Sequence, residues 1–424
     1  GQQRYSQTRH WHKIDQRAAG ARRQRWETHT LNQTDKIRLV METDAIVHPL
    51  TGIGRYVLEL LQAFNESDAI ADLRCLSRGR WYKAARVIEE GNAIAAADSR
   101  LVGEETRPRW RRNPARAALR RLAPYFNQRS LEKLPDSHLY HSPNYRLSPF
   151  KGKKVATFHD LSLFLYPQYH PEDRLKLLRP AIEYAAREAN HLITDSEQVR
   201  REVMSYFDVP ADKITAIPLA TTKRSTSVDE NLRDAFLAEM GLRAGSYFLF
   251  VSTLEPRKNI SGLLGAYELL PRQLRRNFPL VLSGQLGWQS RDIETALHRA
   301  RHRGDVIQAG YLSNQSINYL YSGARAFVYP SFYEGFGLPI LEAQEFGTPV
   351  ITSDCSCMPE VAGDGAILVN PESYAALANA MQNLVDDDEL HRRLGLAGKA
   401  NADRFCWRET ASKTIGVYQN VIAS

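Results

Sequence analysis

The chain has 424 residues, of which 43% are hydrophobic and 25% charged, so it is too long for one ordinary domain and apolar enough for two cores. Its net charge of +8 and pI near 9.2 indicate a polyanionic partner: nucleic acid, an anionic membrane surface or nucleotide phosphates. No apolar run approaches the roughly 18 residues of a membrane span and no secretory pattern is found, so we expect a cytoplasmic protein, either free or peripheral on the inner face of the membrane.

The first 35 residues are basic, with seven Lys or Arg against three Asp or Glu and little apolar periodicity. We expect a disordered tail, or one added by cloning, and a peripheral anchoring arm is the alternative. Residues 36–41 predict the first strand. The first helix opens in Thr51-Gly52-Ile53-Gly54, where a phosphate or acceptor group can meet a helix N-terminus, although Gly-x-Gly is more often only a tight turn.

A second basic stretch, from Arg107 to Arg129, holds eight arginines and no acid, interleaved with aromatic and leucine residues. Residues 116–122 are consistent with a short amphipathic helix between two prolines. A solvated surface helix and a membrane-surface segment fit this pattern equally well. A nucleic-acid patch is less favoured because no recognised binding motif accompanies the charge.

Two predicted strand ends, residues 138–144 and 154–161, each deliver a histidine near the point where apolar character stops, namely His141 and His159. A histidine at a strand edge is usually structural, and we expect this of His141. Helical and strand patterns then alternate through residue 219, which predicts a doubly wound sheet. Residues 221–229 are polar and aperiodic, which is typical of an interdomain linker.

The second half begins with an apolar strand that runs into Leu254-Glu255-Pro256-Arg257-Lys258-Asn259. A strand and turn are predicted at residues 280–288, another at 306–313, and a strand at 326–330. The last of these leads into Ser331-Phe332-Tyr333-Glu334-Gly335-Phe336-Gly337-Leu338-Pro339-Ile340-Leu341-Glu342, followed by Gly347-Thr348-Pro349-Val350. This is a strand-to-helix turn, placed where parallel sheets bind ligands. With the helix starting near Gly335, Glu334 lies at the lip of the turn and Glu342 about two turns into the helix.

Taken alone, these acids and cations fit exposed surface charges. As a set, the two motifs closely resemble the donor-site signature of glycosyltransferase family 4, whose members are retaining nucleotide-sugar enzymes. The resemblance covers residues 37–424 and implies the α/β GT-B fold, with two Rossmann-like doubly wound domains facing a cleft. We therefore expect an extension at residues 1–35, an acceptor domain at 36–222, a linker at 223–245, a donor domain at 246–405, and a C-terminal helix at 406–424 that packs back on the first domain.

The resemblance also implies roles for particular residues. Arg257 and Lys258 grip the donor diphosphate, Glu334 holds sugar hydroxyls, and His159 lines the sugar from the other domain, with Asp160 either orienting its ring or capping the next helix. Substrate-binding positions follow in the same way: Gly52, Gly54, Tyr311, Leu312, Gly335, Phe336, Gly337, Leu338 and Glu342, the last at the ribose. One departure is Ser252, where relatives often have glycine.

We expect no metal and no cofactor, because no Asp-x-Asp follows a strand and two cations already stand at the phosphates. Cys75, Cys355, Cys357 and Cys406 show neither a disulfide framework nor zinc spacing. The expected reaction moves mannose from GDP-mannose to a saccharide or lipid-linked acceptor in bacterial surface polysaccharide synthesis. Rhamnosyl or glucosyl transfer from dTDP- or UDP-sugars is an alternative.

Rivals from other classes are a pyridoxal-phosphate phosphorylase, which usually needs a far longer chain, and a non-catalytic binder of nucleotide sugars or nucleic acid. The complete motif set argues against a degenerate binder. We expect no nucleic-acid partner. Membrane contact through Arg107 to Arg129 is a prediction, and the sequence does not specify the oligomeric state.

Overall fold

A computed structural model describes residues 36–48, 50–98, 126–222, 228–288 and 291–424. The predicted tail at residues 1–35 and residues 107–125 of the basic stretch lie outside these ranges. Residues Ile37–Ser424 form one unit by their contacts, and this unit contains two parallel sheets of different strand number.

The first half of the chain builds a seven-stranded sheet in the order β3-β2-β1-β4-β5-β6-β7. All neighbouring strands are parallel except β2 and β3, which form an antiparallel hairpin. The central strands are buried runs of apolar residues, as expected when helices cover both faces. The strands are β1 (Ile37–Glu42), β2 (Ile70–Ser77), β3 (Arg80–Lys83), β4 (Leu139–Ser142), β5 (Lys154–Phe158), β6 (His191–Thr194) and β7 (Ile214–Ala216).

The second half builds a six-stranded sheet in the order β10-β9-β8-β11-β12-β13, parallel throughout. This is the Rossmann strand order. Its strands are β8 (Phe248–Val251), β9 (Leu280–Ser283), β10 (Val306–Gly310), β11 (Ala326–Tyr329), β12 (Val350–Ser353) and β13 (Ala366–Val369).

Helices connect the strands in both halves. In the first half they are α1 (Gly52–Asn65), α2 (Ala84–Asp98), α3 (Ser162–Leu165), α4 (Glu172–Glu188) and α5 (Glu197–Phe207). In the second half they are α6 (Glu230–Glu239), α7 (Ile260–Glu268), α8 (Arg272–Asn277), α9 (Arg291–Arg303), α10 (Asn314–Gly323), α11 (Leu338–Glu345), α12 (Met358–Ala362), α13 (Tyr374–Asp386), α14 (Asp388–Ala402) and α15 (Trp407–Ala423).

Strand order decides which loops meet. The order reverses between β1 and β4 in the first sheet and between β8 and β11 in the second, and such switch points open a crevice at the carboxyl ends of the strands. The loop after β8 and the loop after β11 therefore become neighbours, although they lie some 75 residues apart along the chain, as the Arg257–Tyr333 hydrogen bond illustrates with its separation of 76.

The last helix, α15, packs on α1 in the first half. The rings of Phe64 and Tyr418 lie 5.7 Å apart, and the Tyr418 hydroxyl lies 2.7 Å from Nδ1 of His141. His141 is fully buried, and burial lowers its pKa to about 3. This neutral, hydrogen-bonded ring has the structural role that we predicted for it.

The predicted linker at residues 223–245 is not an irregular segment throughout. Residues 230–239 form α6, which begins because the Asp229 carboxylate accepts hydrogen bonds from the backbone N–H groups of Asn231 and Leu232. Leu237 is buried, and a Cβ at Gly323, the last residue of α10, would lie 2.8 Å from its Cδ1. The helix is therefore part of the second half, and residues 223–227 of the linker lie outside the described ranges.

Candidate active site

A cleft of about 820 Å³ is lined by loops that follow strands of both sheets. The first half contributes the loop after β1, the start of α1 and the loops after β2 and β4, and the second half contributes loops after β8, β9 and β10 and the start of α11. Among the predicted site residues, four line this cleft directly: Gly52, Tyr311, Leu312 and Glu342.

The predicted donor cations and Glu334 form a buried ion cluster. Arg257 donates from one guanidinium nitrogen to Glu334 Oε2 at 2.9 Å and from the other to Glu255 at 2.8 Å. Lys258 donates to Glu334 Oε1 at 2.5 Å and to the Tyr329 hydroxyl at 2.7 Å. These contacts bring the two cations and Glu334 together, but the cluster is not among the groups that line the cleft.

Electrostatics keep this cluster ionised. Burial alone would raise the pKa of Glu334, but the charges of Arg257 and Lys258 outweigh burial and lower it to about 2. Burial likewise opposes the charge of Arg257, yet the carboxylates of Glu334 and Glu255 raise its pKa. The two cations are balanced by two carboxylates, Glu334 and Glu255. The role of Glu255 was missed in the sequence analysis, although this residue stands in the same motif as the cations.

Both cations of the cluster keep an N–H donor for a ligand. Lys258 has three ammonium protons, and two are used by Tyr329 and Glu334. Nε of Arg257 is buried without a hydrogen-bond partner among the described residues, which is uncommon enough in proteins to suggest an unseen partner. A diphosphate at this position could therefore be bound by donors that are already fixed in place.

His159 follows β5, and its ring is bound by the protein on both sides. Nδ1 lies 2.7 Å from the Asp195 carboxylate and Nε2 lies 2.9 Å from the carbonyl oxygen of Pro143. A carboxylate and a carbonyl oxygen both accept hydrogen bonds, so these two contacts favour the doubly protonated ring. Burial alone would lower the pKa of His159, but the charge and hydrogen bond of Asp195 outweigh it and raise the pKa.

This geometry separates the two roles that we left open for Asp160. Its carboxylate accepts from the backbone N–H and hydroxyl of Ser162, the first residue of α3, and Asp195 rather than Asp160 is hydrogen-bonded to the His159 ring. Asp195 comes next to His159 because β5 and β6 are paired, and the signal that could have found it is a carboxylate at the end of the neighbouring strand. A hydroxyl-holding role for His159 requires a sugar to replace Pro143 at Nε2, and it stays a prediction.

The two glycines of the turn before α11 are required for different reasons. A Cβ at Gly335 would lie 1.8 Å from the carbonyl oxygen of His159, so glycine is needed for close approach of the two halves. Gly337 has φ +98 and precedes α11, which begins at Leu338 rather than near Gly335. Glu342 therefore lies about one turn into the helix rather than two.

The remaining motif residues face the core. Phe336 is 4% exposed, and its ring lies 5.8 Å from that of Phe405. Leu338 is partly buried against the main core cluster. Neither lines the cleft, whereas the start of α11 reaches it through Pro339 and Glu342. Substrate binding by Phe336 and Leu338 stays a prediction, and their side chains do not line the cleft.

Glu342 is held by the Tyr321 hydroxyl, which donates to its Oε2 at 3.1 Å. The loop after β12 holds the backbone of Glu334: the Ser356 hydroxyl lies within hydrogen-bond distance of both its N–H and its carbonyl oxygen. The Cys357 thiol lies 3.1 Å from the same carbonyl and is buried. Cys357, for which the sequence indicated no role, therefore supports the backbone of the Glu334 motif.

The two glycines at the start of α1 differ. Gly52 lines the cleft with no atom within 4 Å of a Cβ position. Gly54 is buried, and its Cβ position lies 2.6 Å from the carbonyl oxygen of Ala45. The prediction that both face the cleft is therefore wrong for Gly54, which is needed for packing of the loop after β1.

The described residues contain no group of three or more His, Cys, Asp or Glu side chains arranged to hold a metal ion. A reaction without metal or cofactor stays a prediction. Within the same part of the chain, no helix has both the length and the apolar character to cross a bilayer.

Comparison with known proteins identifies this architecture. Residues 50–221 match the family "Glycosyltransferase Family 4" and residues 243–401 match "Glycosyl transferases group 1". The chain is similar to O-antigen chain mannosyltransferase B of Escherichia coli, with 36% identity over 392 residues that cover 90% of this chain and 100% of that protein.

Solved structures share the fold. WaaG, a glycosyltransferase involved in lipopolysaccharide biosynthesis, matches with a TM-score of 0.65 and 15% identity over 89% of this chain and 99% of its own. HepE of Anabaena, in complex with UDP and glucose, matches with a TM-score of 0.63 and 16% identity over 90% and 99%. With two facing parallel sheets, paired donor motifs and a full-length relative, the chain belongs to the family 4 glycosyltransferases of the GT-B fold and is a hexosyltransferase.

Proposed function

We propose that this glycosyltransferase moves mannose from GDP-mannose to a saccharide or lipid-linked saccharide acceptor in the synthesis of a bacterial surface polysaccharide, with retention at the anomeric carbon. The observation that carries the proposal is the full-length similarity to the O-antigen chain mannosyltransferase B. The complete set of donor motifs, assembled at one switch point, supports a catalytic role rather than mere binding.

In the proposed reaction, the acceptor hydroxyl oxygen bonds to the anomeric carbon while the bond from that carbon to the GDP β-phosphate oxygen breaks. The leaving phosphate takes the acceptor proton on the same face, so the products are GDP and an α-mannoside. The sugar becomes oxocarbenium-like as negative charge grows on the diphosphate. Donors fixed before the reaction stabilise that growing charge most effectively.

The chain offers such donors in the loop after β8. We assign the diphosphate to Arg257 and Lys258, with the start of α11 as a further source of N–H groups. Glu334 holds these cations in place and accepts from the sugar hydroxyls. Glu342, one turn into α11, takes the ribose, and the Tyr311–Leu312 loop flanks the base.

Ligand stabilisation tests the donor first. We would record the melting temperature with GDP, UDP, dTDP and ADP, because a ligand at 100 times its Kd stabilises the native state by about 2.7 kcal/mol. We expect GDP to raise the melting temperature most. Preference for UDP or dTDP would refute the mannose donor and favour a glucosyl or rhamnosyl enzyme.

Product analysis tests the chemistry. With GDP-mannose and an alkyl mannoside acceptor, we expect release of GDP and a mannosylated product. The one-bond C1–H1 coupling constant of the new linkage, measured by NMR, should show the α-configuration. A β-linked product would refute retention, and absence of transfer from all four nucleotide-sugar classes would refute the enzymatic proposal.

A further inference from the structure

The first-half wall of the cleft carries three arginines that the donor assignments do not use. Arg78 follows β2, Arg146 follows β4, and Arg174 lies in the first turn of α4, and all three line the cleft. Arg78 and Arg146 lie at the same edge because β2, β1 and β4 are neighbours in the first sheet, whereas Arg174 reaches the cleft from the helix that follows β5. A set of guanidinium groups on one wall favours an anionic ligand.

The carboxylates of this wall do not balance the arginines. Asp44 accepts from the Ser77 hydroxyl at 2.6 Å and from the backbone N–H of Arg78 at 3.0 Å. Glu42 is 7% exposed and accepts from the Tyr140 hydroxyl at 2.6 Å. Burial, with a contribution from Asp44, raises the pKa of Glu42 to about 8, so this carboxyl is mostly neutral at pH 7. Glu42 therefore does little to offset the positive charge of this wall.

Arg78 is held in an unusual conformation. It forms the tip of the β2–β3 hairpin with Gly79, and both residues have positive φ, 51° and 75°. Such two-residue turns prefer Asn-Gly, and a long side chain at the first position is unfavourable. A strained backbone conformation persists where the surrounding structure holds it. Here the Asp44 carboxylate holds it by accepting a hydrogen bond from the backbone N–H of Arg78. The turn places the Arg78 side chain at the cleft.

Arg174 is fixed from the opposite half. Its guanidinium lies over the indole ring of Trp288, 4.8 Å from the ring centre, and the indole N–H donates to the carbonyl oxygen of Tyr169 at 2.6 Å. Trp288 belongs to the loop after β9 and also lines the cleft. Neither Arg174 nor Arg78 forms an ion pair with a carboxylate in the described part of the chain, so their charges remain available to a ligand.

We propose that Arg78, Arg146 and Arg174 form an anion subsite that binds a phosphate or diphosphate carried by the acceptor. The subsite rests on the proposed function in one respect, because the donor diphosphate is assigned to the other half of the cleft. The phosphate belongs either to the headgroup of a lipid-linked saccharide or to a free sugar phosphate. The subsite therefore sets acceptor specificity without contact with the reacting carbon.

Equilibrium titration tests the subsite with three probes: octyl mannosyl phosphate, octyl α-mannoside, and mannose 1-phosphate. Saturating GDP is present so that the donor side is filled. We expect the wild-type protein to bind octyl mannosyl phosphate about tenfold or more tightly than octyl α-mannoside, the scale of charge-assisted hydrogen bonds to phosphate. The double variant R78Q/R174Q should bind the two octyl compounds equally, and R78K/R174K should retain most of the difference.

Arg80→Gln is the matched control, since Arg80 is exposed on β3 and does not line the cleft; it should leave all three affinities unchanged. Mannose 1-phosphate binding as tightly as the octyl phosphate assigns the subsite to a free sugar phosphate, and much weaker binding assigns it to a lipid headgroup. Equal wild-type affinity for the two octyl compounds overturns the proposal, as does an equal loss in R80Q. If GDP does not bind, the donor assignment fails, and the same comparison without GDP still decides the subsite.

Discussion

We expect the two ends of the buried Lys258–Glu334 ion pair to differ in how much their loss lowers the free energy of unfolding. In Glu334→Gln, Lys258 loses its carboxylate and keeps only the Tyr329 hydroxyl, whereas Arg257 still has Glu255 at 2.8 Å. In Lys258→Met, Glu334 keeps Arg257 at 2.9 Å, and the methionine refills the space of the aliphatic stem. The first change leaves a lone buried ammonium group and the second does not.

The magnitudes follow from that difference. Breaking a buried pair so that one charge is left uncompensated costs about 3–5 kcal/mol, and we expect this of E334Q. Loss of a hydrogen bond to a charged group that keeps another partner costs about 1.5–3 kcal/mol, and we expect this of K258M. The double variant should be more stable than E334Q alone, because no unpaired ammonium group remains, with a coupling of about 0.5–3 kcal/mol.

Urea unfolding followed by tryptophan fluorescence measures these differences for the four proteins under one set of conditions. Glu389→Gln is the control, because Glu389 pairs with Arg392 while their side chains are 70% and 63% exposed, and no change is expected there. Equal costs for E334Q and K258M, or a double variant that shows simple additivity, would refute the reasoning.

Three further outcomes are expected. Lys258→Ala should lower kcat/KM for mannosyl transfer by about a hundredfold or more, the scale of one lost donor to developing charge, and unchanged turnover would remove its phosphate role. Gly335→Ala should lower the melting temperature because its Cβ would lie 1.8 Å from the His159 carbonyl oxygen, whereas Gly52→Ala, with no atom within 4 Å, should not; equal effects would contradict the packing argument. The folded-state pKa of His159 is raised from 6.5. The charged ring therefore stabilises the folded state fully below pH 6.5, and this stabilisation is lost as the pH rises through the folded-state pKa. A pH series of melting temperatures should show this fall in the wild type but not in Asp195→Asn, and matching profiles would refute the imidazolium assignment.

Local patterns predicted part of the fold, and the resemblance of two motifs to a known family implied the rest. Alternating apolar runs and helical periodicity predicted a doubly wound sheet in the first half, because strands buried on both faces and helices with one apolar face leave distinct signatures in sequence. The Glu334 motif and the Arg257–Lys258 motif each follow a strand, and parallel strands deliver their carboxyl ends to one edge. Their position at one edge of the sheet was therefore predictable, whereas their direct contact depends on β8 and β11 being neighbours.

Helix boundaries were less predictable because caps and backbone dihedrals decide them. The positive φ of Gly337 delays the start of α11 to Leu338, so Glu342 lies one turn in. Asp229 caps a helix inside the segment that composition had indicated as a linker. In both cases one residue with a particular backbone or side-chain geometry outweighs the average tendency of its neighbours.

What the sequence by itself determined is the class of fold and the family, and it predicted donor residues that stand in contiguous motifs. What only the tertiary structure decided is pairing between residues remote along the chain: Asp195 with His159, and the convergence of Arg78, Arg146 and Arg174 on one wall of the cleft. Such pairs depend on the order in which strands are arranged in a sheet. That order is set by the packing of the whole chain, and no local pattern of residues records it.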